Sequence, residues 1–421
     1  MKFFMRTFGC QMNVYDGQRI ASLLEKSGYA ETSEIPEADV IIINTCAVRE
    51  KASEKIFSLL GKISKTKKAG ALLGIVGCVA RAEGANAFRR IKGLNFALGP
   101  QSYHKLPEVL RESKYMDVDL SGLEKFDALP TNTRSTAIAY VPVQEGCSHC
   151  CTYCIVPFTR GPEVSRDMDS VMFEALAAAA RGAVEICFLG QNVNGYKPGL
   201  AELIRRAAKI EGVRRIRYTS SYPTEMTDDL IALHGTEEKL LPFVNMPLQS
   251  GSLEILKRMN RPYDIEQYLG VMEKFKAARP DIKISSDFIV GFPGETEKDF
   301  EMTMEIVRRC GFINSYPFKY SPRPRTAAAL MDGQVAEDVK SRRLEELDNL
   351  LNENNREFNE SLVGRTLTCL VGEAGKKSGQ VIARTPWTQQ VVLDGAGALM
   401  GKLVDIKITS GNKSSLRGEI K

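Results

Sequence analysis

The sequence predicts a multidomain α/β protein with three parts: an open parallel-sheet domain, a partial (β/α)6 barrel and a small all-β barrel. Residues 1–118 alternate apolar strands with amphipathic helices, and residues 136–362 repeat this alternation before one long charged helix. Residues 363–421 consist instead of short apolar runs separated by glycines. A polar stretch at 119–135 is the predicted linker between the first two parts.

The first part contains four apolar segments that predict strands. They are KFFMRTFG (2–9), ADVIIINT (38–45), GALLGIVG (70–77) and LNFALGP (94–100). Helices are predicted at 16–28 and 49–63, and further helical stretches follow the third and fourth strands. This pattern indicates a Rossmann-like parallel sheet, and such sheets bind ligands at the carboxyl ends of their strands.

Three cysteines of this part share one position relative to the predicted elements. Cys10, Cys46 and Cys78 each follow a strand and precede a helix. Since the carboxyl ends of parallel strands share one edge of the sheet, we expect the three thiols to meet there and bind metal. The alternative is three separate buried core cysteines.

The second part contains six strand candidates separated by helices. They are AIAYVPVQ (137–144), VEICFLG (184–190), RRIRYTS (214–220), FVNMPLQ (243–249), KISSDFIVG (283–291) and INSYPFKYS (313–321). Six such units predict a partial TIM-type barrel with its site at the carboxyl ends of the strands. A charged helix is predicted at 335–362, before four apolar runs of a small β-barrel.

The stretch EGCSHCCTYC (145–154) follows the first barrel strand and allows two interpretations. Two adjacent C-x-x-C pairs would suggest zinc, but zinc sites usually draw their pairs from separated segments. Alternatively, Cys147, Cys151 and Cys154 form C-x-x-x-C-x-x-C, with Cys150 a bystander. Three thiolates suit an iron–sulfur cluster and leave one iron open to bind a further ligand. This spacing favours the cluster.

The loop resembles the signature of radical S-adenosylmethionine (SAM) enzymes, and the wider chain resembles the radical-SAM methylthiotransferase family. The motifs that carry this resemblance are TFGCQMNVYD (7–16), NTCAVREKASEK (44–55), GCVA (77–80), EGCSHCCTYCIVPFTRGPEVSR (145–166), LGQNVNGY (189–196), PLQSGS (247–252) and DFIVGFPGET (287–296). The segment from GRT (364–366) resembles a TRAM domain, a small RNA-binding β-barrel.

The resemblance implies two [4Fe–4S] clusters and SAM as cofactors. Cys147, Cys151 and Cys154 correspond to the ligands of the cluster that holds SAM, whose reductive cleavage gives a 5′-deoxyadenosyl radical. The ligands of the second cluster, which is linked to sulfur delivery, correspond to Cys10, Cys46 and Cys78. The clusters and SAM carry the chemistry, so no catalytic side chain is assigned.

Further residues at strand ends are candidates for contacts to SAM or substrate. They are Tyr153, Gln191, Asn192, Asn194, Ser221, Gln249, Ser250, Asp287 and Gly291. The alternative for the amides of Gln191, Asn192 and Asn194 is a polar loop that caps a helix. His149, inside the cysteine loop, is expected to face solvent.

The resemblance is strongest to the branch that attaches a methylthio group to carbon-2 of N(6)-isopentenyladenosine beside the tRNA anticodon. Alternatives are the same chemistry on threonylcarbamoyladenosine of tRNA or on a ribosomal protein side chain, and a non-catalytic RNA-binding iron–sulfur sensor. Residues 364–421 carry nine Lys or Arg against four Asp or Glu, which accounts for the whole net charge of +5. A basic module of this kind favours the tRNA anticodon stem-loop as partner, and a chance surface excess is the alternative.

Composition sets the remaining expectations. The chain has no apolar run of about 18 residues, so no membrane partner is expected. Clustered cysteines without a signal peptide predict a cytoplasmic protein with metal or redox chemistry. We also expect a monomer that receives electrons from a donor such as flavodoxin or ferredoxin.

Three departures from the family pattern stand out. Cys150 adds a fourth thiol to the loop, and Arg325 stands where the family has glycine, so that turn is expected to differ. The C-terminal module lacks the usual asparagine-rich stretch. Its Trp387 is expected in the core, and base stacking is the alternative.

Overall fold

A computed structural model describes residues 1–47, 50–112, 114–120 and 125–421 of the chain. It contains the three predicted parts in the predicted order. Residue 49 of the predicted helix 49–63 and residues 121–124 of the predicted linker lie outside the described residues. None of the helices in the described ranges is long and apolar enough to cross a membrane.

The first part is a six-stranded parallel sheet with helices on its faces. Its strands are β1 (Lys2–Thr7), β2 (Ala30–Glu31), β3 (Val40–Thr45), β4 (Leu72–Gly77), β5 (Phe96–Leu98) and β6 (Tyr115–Asp117). Its helices are α1 (Gln11–Lys26), α2 (Glu50–Thr66), α3 (Cys78–Glu83), α4 (Asn86–Arg90) and α5 (Leu106–Val109). The strand order is β2-β1-β3-β4-β5-β6, so β1, β3 and β4 are neighbours. The four predicted strands are confirmed, and the short edge strands β2 and β6 were not predicted.

Helix α1 begins five residues earlier than predicted. Its first turn is fixed by Asn13, whose side-chain oxygen accepts a hydrogen bond from the Cys10 amide at 3.4 Å. The side-chain nitrogen of Asn13 donates to the carbonyl oxygen of Thr45 at the end of β3 at 3.0 Å. Asn13 therefore stabilises the helix start and ties two strand ends together.

The linker packs along α1. It includes the short helix α6 (Lys125–Ala128). The Arg19 side chain donates to the carbonyl of Pro130 at 2.9 Å, and Arg134 forms ion pairs with Glu25 and Glu31. These contacts hold the linker against the first domain.

The second part is a partial barrel of parallel strands surrounded by helices. Its parallel strands are β7 (Ile138–Pro142), β10 (Glu185–Leu189), β11 (Arg215–Tyr218), β12 (Phe243–Asn245), β13 (Lys283–Ser285), β14 (Asp287–Val290) and β15 (Tyr316–Lys319). The short strands β8 (Gln144–Glu145) and β9 (Val164–Ser165) form a separate antiparallel pair. Its helices are α7 (Val156–Arg160), α8 (Met168–Ala180), α9 (Leu200–Ala208), α10 (Asp228–Thr236), α11 (Leu253–Arg258), α12 (Ile265–Ala278), α13 (Glu297–Cys310) and α14 (Glu337–Ser361). All six predicted barrel strands are present, and the fifth is divided at Ser286 into β13 and β14.

The barrel is open on one side, where the first domain packs. Strands β7, β10 and β11 form one parallel sheet, and in the described residues no ladder pairs β7 with β15. Met12 of α1 packs with Cys187 and Leu189 of β10. The first domain therefore covers part of the barrel opening.

The third part is a closed five-stranded barrel. Its strands are β16 (Thr366–Ala374), β17 (Gln380–Arg384), β18 (Gln390–Asp394), β19 (Leu403–Gly411) and β20 (Leu416–Ile420), in the order β16-β17-β18-β20-β19. The four predicted runs form the first four strands, and β20 was not predicted.

The third part packs against the amino-terminal ends of the barrel strands. Arg215, the first residue of β11, donates to the carbonyl of Arg384 at 2.9 Å. Phe243, the first residue of β12, lies in the apolar core of the small barrel. The small barrel and the cysteine loop thus occupy opposite ends of the central barrel.

Candidate functional site

The first three cysteines lie at the carboxyl ends of three neighbouring strands. Cys10 precedes α1, Cys46 directly follows β3, and Cys78 directly follows β4 as the first residue of α3. All three line one cavity, with Cys46 and Cys78 buried and Cys10 exposed to solvent. The expected meeting of these thiols at one sheet edge is confirmed.

The second cysteine set sits in a loop that closes on itself. Strands β8 and β9 pair in antiparallel fashion at its base, and the Cys147 amide donates to the carbonyl of Gly161 at 3.2 Å. Gly146 opens the loop with φ of +79° and abuts the Pro162 carbonyl, where a Cβ atom would clash. The loop therefore begins at a position that only glycine fits.

The loop also runs into the first domain. Ile155, the residue after Cys154, is buried in the apolar core that contains Cys78 and Val79. Ile155 and Val156 line the same cavity as Cys10, Cys46 and Cys78. The loop of the second cysteine set therefore adjoins the first set, where the first domain meets the barrel.

Cys150 is more exposed than the other three loop cysteines. Cys150 is exposed, and its thiol lies 3.7 Å from the carbonyl of Ser148. Cys147, Cys151 and Cys154 instead interact electrostatically with one another. This geometry favours the C-x-x-x-C-x-x-C interpretation.

The thiols differ in how readily they ionise. A hydrogen bond from Cys46, assisted by the positive charge of Arg160, lowers the pKa of Cys10 to about 6. Burial raises the pKa of Cys78, that of Cys147 to about 11 and that of Cys154 to about 12. A bound cationic centre would favour the thiolate form of each, because metal binding displaces the thiol proton.

The donor set suits a cluster better than a single ion. Within the described ranges, no three His, Cys, Asp or Glu side chains have the spacing of a one-ion site. In a cubane cluster each thiolate binds its own iron, so three thiols hold three of the four irons. The chain supplies three sulfur donors in each of two groups.

A buried arginine accompanies each cysteine set. Arg160 forms ion pairs with Asp16 at 2.9 Å and Glu145 at 2.8 Å, and lines the cavity of the first set. Arg261 Nη1 lies 3.8 Å from the sulfur of Cys151. The sequence motifs contain Arg160 and Asp16, but nothing in the sequence marks them as buried partners.

Several predicted cofactor-binding residues have polar atoms near the cysteine loop. The side-chain oxygen of Gln191 accepts from the Gly146 amide at 2.6 Å, and Gln191 also lines the cysteine cavity. Ser221 Oγ and Asn192 Oδ1 are buried and have no hydrogen-bond partner among the residues that the structure describes. Buried polar atoms are normally satisfied, so a polar ligand such as SAM fits here. Tyr153 packs edge-on against Phe292 with ring centroids 6.5 Å apart.

Other predicted contacts are engaged within the protein. Asn194 bonds the backbone of Tyr222 with both ends of its amide, at 2.8 and 2.7 Å, which favours a structural role. Ser250 Oγ lies 3.4 Å from Thr303 Oγ1.

The remaining three lie near the carboxyl ends of two neighbouring barrel units: Gln249 follows β12, Asp287 is the first residue of β14, and Gly291 directly follows β14. Gln249 has φ of +75°, and its amide donates to the carbonyl of Asp287, the first residue of β14, at 2.9 Å. The Gly291 amide donates to Glu295 at 2.5 Å, and a Cβ atom there would clash with Lys340 of α14. The backbones of Gln249 and Gly291 therefore shape these loops.

His149 does not face solvent as expected. Its ring stacks on Tyr222 with centroids 3.8 Å apart, and Nε2 lies 2.9 Å from a carboxylate oxygen of Glu225. Glu225 also accepts a hydrogen bond from Asn192 at 2.7 Å. The stacking holds His149 against the barrel because Tyr222 follows β11. The two residues lie 73 positions apart in the sequence, so local sequence does not reveal this contact.

Comparison with family models gives three matches. Residues 2–99 match Uncharacterized protein family UPF0004, residues 141–307 match the Radical SAM superfamily, and residues 360–421 match the TRAM domain. The three matches fall in the same order on the first domain, the central barrel and the small barrel.

Curated relatives match along nearly the whole chain. The tRNA-2-methylthio-N(6)-dimethylallyladenosine synthase of Sphingopyxis alaskensis is 47% identical over 432 residues, covering 99% of this chain and 97% of that protein. The enzyme of the same name from Rickettsia canadensis is 48% identical, covering 100% of this chain and 99% of its own length.

Solved structures share the fold at low sequence identity. The radical SAM methyltransferase TsrM from Kitasatospora setae has a TM-score of 0.57 at 12% identity, covering 78% of this chain and 74% of that chain. The cobalamin-dependent SAM radical enzyme OxsB has a TM-score of 0.54 at 11% identity, covering 83% of this chain and 56% of its own.

Proposed function

This chain belongs to the tRNA-2-methylthio-N(6)-dimethylallyladenosine synthase family, and from that premise we propose that it attaches a methylthio group to carbon-2 of N(6)-isopentenyladenosine in tRNA. It is a radical SAM enzyme, and its superfamily implies one [4Fe–4S] cluster and SAM. One observation carries the proposal beyond the relatives: the loop of the second cysteine set enters the core around the first. The sulfur site and the radical site are then next to each other.

We assign Cys147, Cys151 and Cys154 as ligands of the cluster that binds SAM. Their electrostatic interaction with one another and the exposure of Cys150 support this assignment. When bound, this cluster and SAM supply one-electron reduction and a radical able to activate an unreactive C–H bond.

The buried side chains beside this loop would bind and orient SAM. Ser221 Oγ and Asn192 Oδ1 can form hydrogen bonds with its polar groups, since neither has a partner in the described part of the chain. Tyr153, held against Phe292, would limit the position of the cofactor from the loop side. Gln191 fixes the start of the loop through the Gly146 amide.

We assign Cys10, Cys46 and Cys78 as ligands of a second [4Fe–4S] cluster, which would present sulfur for transfer. Their shared cavity, which Gln191 and the loop residues Ile155 and Val156 also line, supports this assignment. The low pKa of Cys10 favours its thiolate form, which is the form that binds iron.

We further propose that the protein acts as a monomer, receives electrons from flavodoxin or ferredoxin, and binds the anticodon stem-loop with its TRAM domain. The basic excess of residues 364–421 supports the RNA contact through phosphate neutralisation. The TRAM domain and the cysteine loop lie at opposite ends of barrel strands such as β7, whose five residues span about 17 Å. An RNA stem is long enough to contact both.

Mass spectrometry of tRNA nucleosides tests this function. A strain that lacks the gene would receive the intact gene, a Cys10→Ala/Cys46→Ala/Cys78→Ala gene, or a Cys150→Ala gene as the matched cysteine control. We expect methylthio-isopentenyladenosine with the intact and Cys150→Ala genes. With the triple variant we expect only the unthiolated precursor.

Two results would contradict the proposal. If the nucleoside is unchanged without the gene, the substrate assignment is wrong, and threonylcarbamoyladenosine and ribosomal proteins are the next candidates. If the triple variant restores the nucleoside, the first cysteine set is not required for sulfur transfer.

A further inference from the structure

Arg160 is the centre of a buried charge cluster that joins two domains. Its Nη1 donates to Glu145 Oε1 at 2.8 Å, and its Nη2 donates to Asp16 Oδ2 at 2.9 Å. The three side chains are at most 3% exposed. Asp16 lies on α1 of the first domain, whereas Glu145 and Arg160 flank the cysteine loop of the barrel. The cluster therefore spans the junction between the two cysteine sets.

Arg160 also lies beside the first cysteine set. It lines the cavity formed by Cys10, Cys46 and Cys78, and its positive charge interacts with the Cys78 thiol. The next residue, Gly161, accepts the hydrogen bond from the Cys147 amide. Consecutive residues thus contact both cysteine sets.

The charges of the cluster oppose each other at Cys78. One guanidinium is shared between two carboxylates and a thiol, so Asp16 competes with Cys78 for the same positive charge. Buried ion pairs lose much of their Coulombic gain to desolvation. Their electrostatic effect on a neighbouring group is nevertheless large, because little water screens it.

We propose that Arg160 is a positioning residue that raises the reduction potential of the cluster bound by Cys10, Cys46 and Cys78, and that Asp16 limits this effect. The inference rests on the second cluster of the proposed function. Hydrogen bonds and positive charge at a ligand sulfur stabilise the more negative, reduced state of an iron–sulfur cluster. A carboxylate that draws the guanidinium away has the opposite effect.

A protein that retains only the second cluster isolates this effect. In a Cys147→Ala/Cys151→Ala/Cys154→Ala background, anaerobic reconstitution would load the first cysteine set alone. The midpoint potential would be followed by electron paramagnetic resonance during a redox titration, with iron and sulfide content measured on the same samples. We expect Arg160→Gln to lower the midpoint potential and Asp16→Asn to raise it.

Two further variants serve as controls. Arg160→Lys retains the positive charge and should shift the potential less than Arg160→Gln. Arg343→Gln removes another buried arginine, which pairs with Glu295 at 2.7 Å on the side of α14, and should leave the potential unchanged. Should Arg160→Gln fail to fold, the upward shift of Asp16→Asn carries the test, because Asn is nearly the same size as Asp.

The outcomes distinguish this inference from the function on which it rests. If the background protein binds no iron, the second cluster itself is wrong, and the inference is wrong with it. If the cluster forms but both variants lose iron without opposite shifts of potential, the second cluster stands and the proposed role of Arg160 is overturned.

Discussion

The indole Nε1 of Trp387 donates a hydrogen bond of 2.8 Å to the carbonyl oxygen of Asp281, just before barrel strand β13. The Trp387 ring packs edge-on against Phe358 of α14, with centroids 5.6 Å apart, and the side chain is buried. The expectation that Trp387 belongs to the core is confirmed. One side chain therefore joins the TRAM domain, the long helix and the central barrel.

Substitution of Trp387 should weaken this junction in two steps. Trp387→Phe removes the hydrogen bond and should lower the free energy of unfolding by about 1 kcal/mol. Trp387→Ala also leaves a cavity and should cost about 3–5 kcal/mol. Urea unfolding followed by circular dichroism measures both. Equal losses in the two variants would show that packing contributes little.

The positions of the three cysteines could be predicted from the sequence because each directly follows an apolar strand, at the carboxyl edge of a parallel sheet. The sequence did not show that β1, β3 and β4 are adjacent, which brings the thiols together. Strand β20 escaped prediction because LRGEI alternates too few apolar residues. The division of the fifth barrel strand at Ser286 depends on barrel curvature, which local sequence does not reveal.

The charged part of the site could not be predicted in the same way. Asp16 and Arg160 lie 144 residues apart, and both motifs contain several polar residues. Only the packing of α1 against the barrel decides which charges become buried partners. The same holds for Arg261 beside Cys151 and for the stacking of His149 on Tyr222.

His234 should make the stability of the barrel depend on pH. Burial, with the nearby positive charge of Arg279, lowers the pKa of His234 to about 3, and its Nε2 lies 2.8 Å from the Tyr218 hydroxyl. In the unfolded chain the pKa is about 6.5, so the unfolded state binds the proton first as pH falls. The contribution to stability is therefore complete above about pH 6.5 and declines towards pH 3.

Between pH 7 and pH 5 the contribution of His234 to the free energy of unfolding falls by about 2 kcal/mol. We expect His234→Gln to reduce the difference in unfolding free energy between these two pH values by about that amount. Urea unfolding at both pH values, with the parent protein alongside, provides the measurement. If the substitution leaves this difference unchanged, folding does not alter the protonation of His234 in this pH range.

Arg325 should be a site of backbone strain. It has φ of +70°, a left-handed conformation that favours glycine, and its side chain is exposed. The position thus keeps a conformation suited to the glycine of the family pattern. A non-glycine residue pays roughly 1–2 kcal/mol there, so Arg325→Gly should raise the free energy of unfolding by about 1 kcal/mol. Arg325→Ala keeps the Cβ atom and should not raise the free energy of unfolding. An equal increase in both variants would show that the loss of the positive charge, and not the relief of strain, is responsible.

The cysteine loop permits a comparison between neighbouring thiols. Cys150 is exposed and directed at its own loop, whereas Cys151 lies beside Arg261 and interacts with Cys147 and Cys154. After anaerobic reconstitution, Cys150→Ala should bind as much iron and sulfide as the parent protein. Cys151→Ala should lose about half of both, because one of two four-iron clusters loses a ligand. If Cys150→Ala instead loses iron and sulfide while Cys151→Ala keeps both, the two C-x-x-C pairs are the better interpretation of the loop, with Cys150 as a metal ligand.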